Sequence, residues 1–275
     1  MNEFITFIDI PQLLGYQFFQ HALLGGIIAA VACTGIGLFL ILRKEAMIAD
    51  GISHTAFGGI ALGLLLGIYP LITALIVSIV AVLGISYMKK KGFAQSDSAI
   101  AVMLALGFST GLIILSLVKG FNVELFSYLF GSILTINQVD LLTVSLLGLS
   151  TILFLGIFYK ELLAITFDEG SAKLTGIPVG VFTFAFNILV ATTIVLSIKI
   201  IGIILVVALI VLPGLTALQL RRSFRQTLFA SLGFGGMSVF FGIFVSALFD
   251  VAASGVIVVI AVGFFLIVAI YQRLK

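Results

Sequence analysis

The chain has 275 residues, of which 62% are hydrophobic and 9% charged, with a mean hydropathy of +1.36. A soluble domain carries about 25% charged residues, so this composition excludes a soluble enzyme and points to a polytopic membrane protein with a single all-α membrane domain over residues 1–275. The net charge of +3 comes from short basic clusters between apolar runs, with no aromatic-interleaved basic patch, which argues against nucleic acid as a partner. The lone Cys33 excludes an internal disulfide and a multi-cysteine metal site, and reads as a small packing residue.

Residues 1–16 are mixed and interfacial in character, without a basic start or cleavage site. Apolar runs long enough to cross about 30 Å of hydrocarbon as helices follow at about 18–42, 47–68, 71–88, 98–118, 139–159, 179–198, 200–220, 227–249 and 256–271. That gives about nine spans, eight to nine because residues 123–136 divide in more than one way. Residues 123–136 are apolar but too short to cross, and read as an interfacial or re-entrant segment. With nine spans and the N-terminus outside, Arg43, Lys44, Lys89, Lys90, Lys91, Lys160, Lys173, Arg221, Arg222, Arg225, Arg273 and Lys275 all face the cytoplasm. Only Lys119 and Lys199 of the 14 Lys and Arg do not. Positive-inside bias selects this orientation.

The second span carries Asp50 and His54, four residues apart and therefore on one helix face. Arg43-Lys44 mark the boundary, and at 1.5 Å per residue the pair lies roughly 10–15 Å further in. An intramembrane carboxylate costs several kcal/mol unless paired or solvated, and such residues mark transport paths. Carboxylate oxygen with imidazole nitrogen suits Zn²⁺ or Mn²⁺; the alternative is an internal hydrogen bond that only tightens packing. Gly51 and Ser53 are placed to loosen the helix there. Asp250, with Ser246 one turn before it, closes the eighth span and is either a plain turn residue or a carboxylate at the outer mouth of a cation path. Glu124 opens the short segment as a rim charge or an outer-gate residue. His21 reads as an interfacial histidine.

Between the fifth and sixth spans, Thr166-x-x-Glu169 is a capping-box pattern and Gly176 with Pro178 a helix stop. This predicts a helix of about nine residues within 166–177, outside any span, serving as a connector or as a knob for another protein. P-loop, HExxH and GxSxG motifs are absent, so the chain does not bind ATP through a P-loop and shows no hydrolase signature.

Taken together, four stretches resemble the permease subunits of bacterial ABC importers for zinc and manganese. They are Leu42-Arg43-Lys44 through Asp50-Gly51-Ile52-Ser53-His54, Asn122 through Tyr128-Leu129-Phe130-Gly131-Ser132, Phe167-Asp168-Glu169 through Gly176-Ile177-Pro178, and Asp250-Val251-Ala252-Ala253-Ser254-Gly255. The resemblance implies a type II importer-like fold in the bacterial cytoplasmic membrane and a homodimer of permeases. It also implies two cytosolic ATPase subunits and a metal-binding lipoprotein outside. It makes Asp50, His54 and, less firmly, Asp250 metal ligands on the path. It makes Phe167, Asp168, Glu169, Ala172, Lys173 and Gly176 the coupling segment. Zn²⁺ or Mn²⁺ is then cargo, with no intrinsic cofactor; the Tyr128–Ser132 segment resembles the zinc branch, the coupling region and the Val251–Gly255 break also resemble manganese members, and the lean is to zinc. A secondary transporter or channel without an ATPase is the competing reading.

Overall fold

A computed structural model describes residues 15–93, 95–117, 128–129, 131 and 136–274. The described residues form ten helices and no strand. They are α1 (Gln17–Leu42), α2 (Ile48–Leu66), α3 (Pro70–Lys91), α4 (Ser96–Leu117), α5 (Gln138–Ile157), α6 (Tyr159–Phe167), α7 (Glu169–Leu174), α8 (Val179–Gln219), α9 (Phe224–Phe249) and α10 (Ala253–Leu274). Eight of them are long and apolar enough to cross a membrane. Only helices satisfy every backbone group within one segment, which lipid demands. The expected rim residue Glu124, and most of the segment 123–136, lie outside the described residues.

Local chemistry sets the helix ends. Gly67 and Gly92 close α2 and α3 with positive φ, and the following amide reaches back to Gly63 and Met88, the Schellman arrangement. Pro70 opens α3 where its missing N–H is harmless. Asn137 and Asp140 cap α5 reciprocally. The end of α1 is different. Lys44 occupies the left-handed position at φ 58, with Lys44 N–H on Ile41 O and Glu45 N–H on Leu40 O. Glycine is the usual residue there, and an L side chain costs about 1–2 kcal/mol.

The sixth and seventh expected spans are the two halves of α8, which is 41 residues long. A straight helix of that length would measure about 60 Å, twice the hydrocarbon core. It is broken at Gly202 (φ 81, ψ 161), a conformation essentially confined to glycine, rather than at Lys199 where polarity suggested the division. Contacts with α1 show that the chain reverses there. Phe186 edges Phe39, and Ser197 meets Cys33 on the way out. Leu209 meets Thr34, and Gly214 lies against Ile41, on the way back. Pro213 in the returning half has no N–H for Leu209 O. Thr34 Oγ1 donates to that freed carbonyl at 3.2 Å. Gly37 permits the close approach, since a Cβ there would lie 2.0 Å from Ile210 O.

The helices pack in two groups. α1 packs on α8, α9 and α5, and α10 covers α8 and α9, whereas α2 packs chiefly on α3 and α4. α8 touches both groups through α2 and α3. Without a hydrophobic force between helices in lipid, close backbone approach holds such contacts. In the second group glycine supplies it. A Cβ on Gly58 would meet Gly107 O at 2.4 Å, and one on Gly59 would meet Ala74 Cα at 2.6 Å.

The expected capping box is corrected. Thr166 sits inside α6 and donates to Leu162 O. Asp168 is the N-cap of α7, extended at φ −153 and accepting from Gly170 N and Ser171 N. Aspartate is the stronger cap, and its position fixes a shorter helix, Glu169–Leu174, of six residues. The stop at Gly176 (φ 84) is present.

Candidate functional site

Between Ile48 and Ala61 every residue of α2 is buried except Asp50 and His54, whose side chains are 31% and 30% exposed. α3 and α4 cover the other faces of the helix. Gly51 does not loosen the helix, which runs unbroken. It makes room for Ile100, whose Cγ2 would lie 2.7 Å from a Cβ at that position. Ser53 likewise bonds back to Ala49 O at 2.7 Å. The uncovered strip therefore carries a carboxylate and an imidazole and little else.

His54 Nε2 lies 3.4 Å from Asp50 Oδ1, as the i,i+4 spacing requires. The His54 ring meets Phe108 of α4 edge-on at 5.2 Å between centroids, which fixes the ring plane. Asp50 stands in the first turn of α2, where the helix dipole favours a negative charge. The pair offers one oxygen and one nitrogen donor to a divalent cation. Two protein donors fall short of the four of a closed zinc site. Among the described residues no group of three or more His, Cys, Asp or Glu gathers that would complete one.

The other predicted site residues lie elsewhere. Asp250 ends α9 in a left-handed conformation (φ 51) and is exposed. The last turns of α9 pack on the start of α1, Phe244 against Phe19, whereas Asp50 follows the end of α1. The two acids are thus at opposite ends of the chain's fold. Ser246 is buried, and its hydroxyl donates to Val251 O while Val251 N–H bonds Ser246 O. It closes the end of α9. His21 Nδ1 lies 3.3 Å from Ile136 O, and Cys33 is fully buried beside Ser197.

The segment predicted to couple forms a small unit on the basic end. Ala172 is buried with Ile165 and Val179. Glu169 and Lys173 pair at 2.7 Å on the open face. Phe167 and Leu174 are 67% and 91% exposed, an apolar surface beside a capped helix. Hydrogen bonds from the Ser171 hydroxyl, then from the Ser171 and Gly170 amides, hold the Asp168 carboxyl below the usual carboxylate range.

Sequence reasoning missed two charge clusters. Glu45 is 8% exposed and accepts from Arg43 Nε at 3.2 Å and from Lys89. Lys199, left as a stray cation, pairs with Asp140 and reaches Tyr69 Oη at 3.2 Å. This second cluster lines part of a cavity of about 380 Å³ between α3, α5 and α8. The signal available was general. A charge inside or beside an apolar run requires a partner, and Asp140 and Glu45 are the acids in reach.

Residues 15–272 match the ABC 3 transport family. The chain is 34% identical over 261 residues to the manganese transport system membrane protein MntC of Halalkalibacterium halodurans, covering 95% of this chain and 89% of that one. It is 31% identical to the manganese import system permease protein ScaB of Streptococcus gordonii, over 94% and 92% of the two chains. In fold it is similar to a chain of PsaBC from Streptococcus pneumoniae, solved in complex with Fab. The TM-score is 0.84 and the identity 33%, covering 94% of this chain and 93% of that one. Eight apolar helices and a match across nearly the whole chain make this protein a multi-pass membrane subunit of the ABC 3 transport family.

Proposed function

We propose that the protein is the permease of an ATP-driven importer for a divalent transition-metal cation, with Asp50 and His54 as the path residues that contact the cation. The observation that carries this reading is the strip of α2 on which only those two side chains escape burial between Ile48 and Ala61. Their donors suit Mn²⁺ and Zn²⁺ alike. The relatives named for manganese weigh for Mn²⁺ against the lean to zinc taken from Tyr128–Ser132. An incomplete ligand set suits cargo that must be released, and water or a second copy of the chain supplies the remaining ligands.

The basic end, with Arg43, Lys89–Lys91 and Arg221–Arg222, is cytoplasmic by positive-inside bias. That places Phe167, Leu174 and α7 where a cytosolic ATPase subunit docks, Asp250 on the outer side, and the lipoprotein that delivers metal beyond it. A homodimer on two ATPase subunits is the assembly. Bound-metal analysis of the complex under equal Mn²⁺ and Zn²⁺, with a His54→Ala control, tests the reading. Metal bound by the parent and lost by the variant supports it. Equal loading of both overturns the site, and zinc alone on the parent overturns manganese.

A further inference from the structure

Glu45 is part of neither the cation pair nor α7, yet its carboxylate meets two cations at the basic end. Its side chain is 10% exposed, and its two oxygens meet cations that belong to different helix groups. Arg43 ends α1, which packs on α8, α9 and α5. Lys89 lies in the last turn of α3, which packs on α2. One carboxylate therefore fastens the two groups together. Apolar residues of the same size would hold the seam at least as well, because three charges must be stripped of water to meet there. Charged groups hold differently. Their bond is lost over a short separation and regained on return, as a junction that opens and closes requires.

Each side of this junction leads to a functional element. On one side Arg43 lies over the Phe186 ring at 5.3 Å. Phe186 meets Phe39 at 6.1 Å, and Phe39 meets Phe224 at 5.2 Å. Phe224 meets Tyr159 at 5.7 Å and Phe167 at 6.5 Å, at the two ends of α6. Asp168 and α7 follow directly. Phe39 and Phe186 are 1% and 0% exposed. Rings packed at interior density pass a displacement on rather than absorb it. On the other side the Glu45 carbonyl accepts from Ile48 N–H at 2.9 Å and so forms the opening turn of α2, five residues before Asp50. Lys44, held left-handed, is the joint between the two sides.

We propose that Glu45 is the positioning residue through which movement of α6 and α7 reaches Asp50 and His54, by way of Phe224, Phe39, Phe186 and Arg43. The inference rests on the importer reading and adds the route of coupling to it. Its test is the number of cations carried per ATP hydrolysed by the complex reconstituted in lipid vesicles with Mn²⁺. In E45Q that ratio falls by about two- to thirtyfold, the span found for residues along coupling networks, while Mn²⁺ affinity and the ATPase rate stay near the parent's. F224L lowers the ratio too, and E45Q with F224L is no worse than E45Q alone. A purely structural role would lower yield and stability and leave the ratio intact. An unchanged ratio in folded E45Q, or additive losses in the double variant, overturns the proposal. Should E45Q fail to assemble, K89Q gives the same reading at the other end of the junction, and a parental ratio there overturns it. Failure of the importer reading is separable, since it appears as a parent complex that carries no cation at all.

Discussion

His54 Nε2 stands 3.4 Å from Asp50 Oδ1 on the strip of α2 that neighbouring helices leave uncovered between Ile48 and Ala61. Each side chain is about a third exposed, so a near-isosteric change alters packing little. Asp50→Asn and His54→Gln are expected to lower cation uptake by at least about tenfold, the least that disturbing a metal site costs, with unchanged assembly and melting temperature. Radiolabelled Mn²⁺ uptake beside size-exclusion profiles checks this. Parental uptake by both variants would remove the pair from the path.

Lys199 and Asp140 hold the far side of α8, close to the break at Gly202. Asp140 is 11% exposed and Lys199 30%, so removal of either partner leaves a poorly solvated charge. Lys199→Met is expected to destabilise by about 2 kcal/mol, below the 3–5 of a fully buried pair. The double variant with Asp140→Asn recovers most of that loss. Thermal melts of the four proteins in one detergent give the coupling, and additive losses would show that the pair is idle.

Gly37 is the closest seam in the larger helix group. Alanine there would place its Cβ 2.0 Å from Ile210 O, and neither helix yields without moving Thr34 from Leu209 O. Gly37→Ala is expected to cost about 1–3 kcal/mol as overpacking. Gly233→Ala, with nothing within 4 Å of the new methyl group, should be neutral by the same melting assay.

Asp168 gives a pH dependence. Its folded pKa is depressed, chiefly by the Ser171 hydroxyl and amide. The carboxylate therefore supports α7 fully above the unfolded value of about 3.9 and loses that support as pH falls through the lowered folded value. The protection factor of the Ser171 amide against hydrogen exchange should stay constant from neutral pH down to that range, then fall. Asp168→Ala should show low protection at every pH, and a transition near neutrality would contradict the assignment.

Much of the fold was legible because lipid leaves few choices. Apolar runs bounded by Arg43-Lys44, Lys89–Lys91 and Arg221-Arg222 became helices within a few residues of expectation. The i,i+4 pair could be read because helix geometry alone brings Asp50 to His54. What failed was decided by tertiary contact or by backbone detail. The division of α8 was placed at Lys199 on polarity, yet the backbone turns at Gly202, where only glycine can turn it. Thr166 and Glu169 had the right spacing for a cap, but Asp168 between them competes better for the amides of α7. The pairings of Glu45 with Lys89 and of Asp140 with Lys199 gave no local pattern, because the partners lie 44 and 59 residues apart. Asp250 and Ser246 share one turn of sequence with no link to Asp50, and the fold sends them to the other end.

The glycines on α2 and α4 also determine what kind of bearing the cation pair rides on. Gly58 against Gly107 brings backbone to backbone, while Gly111 receives the Phe57 ring. Meshed rotamers resist sliding until several flip at once. The Gly58–Gly107 contact has none to flip, so at that contact a lengthwise shift of the 1–2 Å typical of helix movements needs no rotamer change. Friction, more than strength of attachment, is the property that this contact has been relieved of.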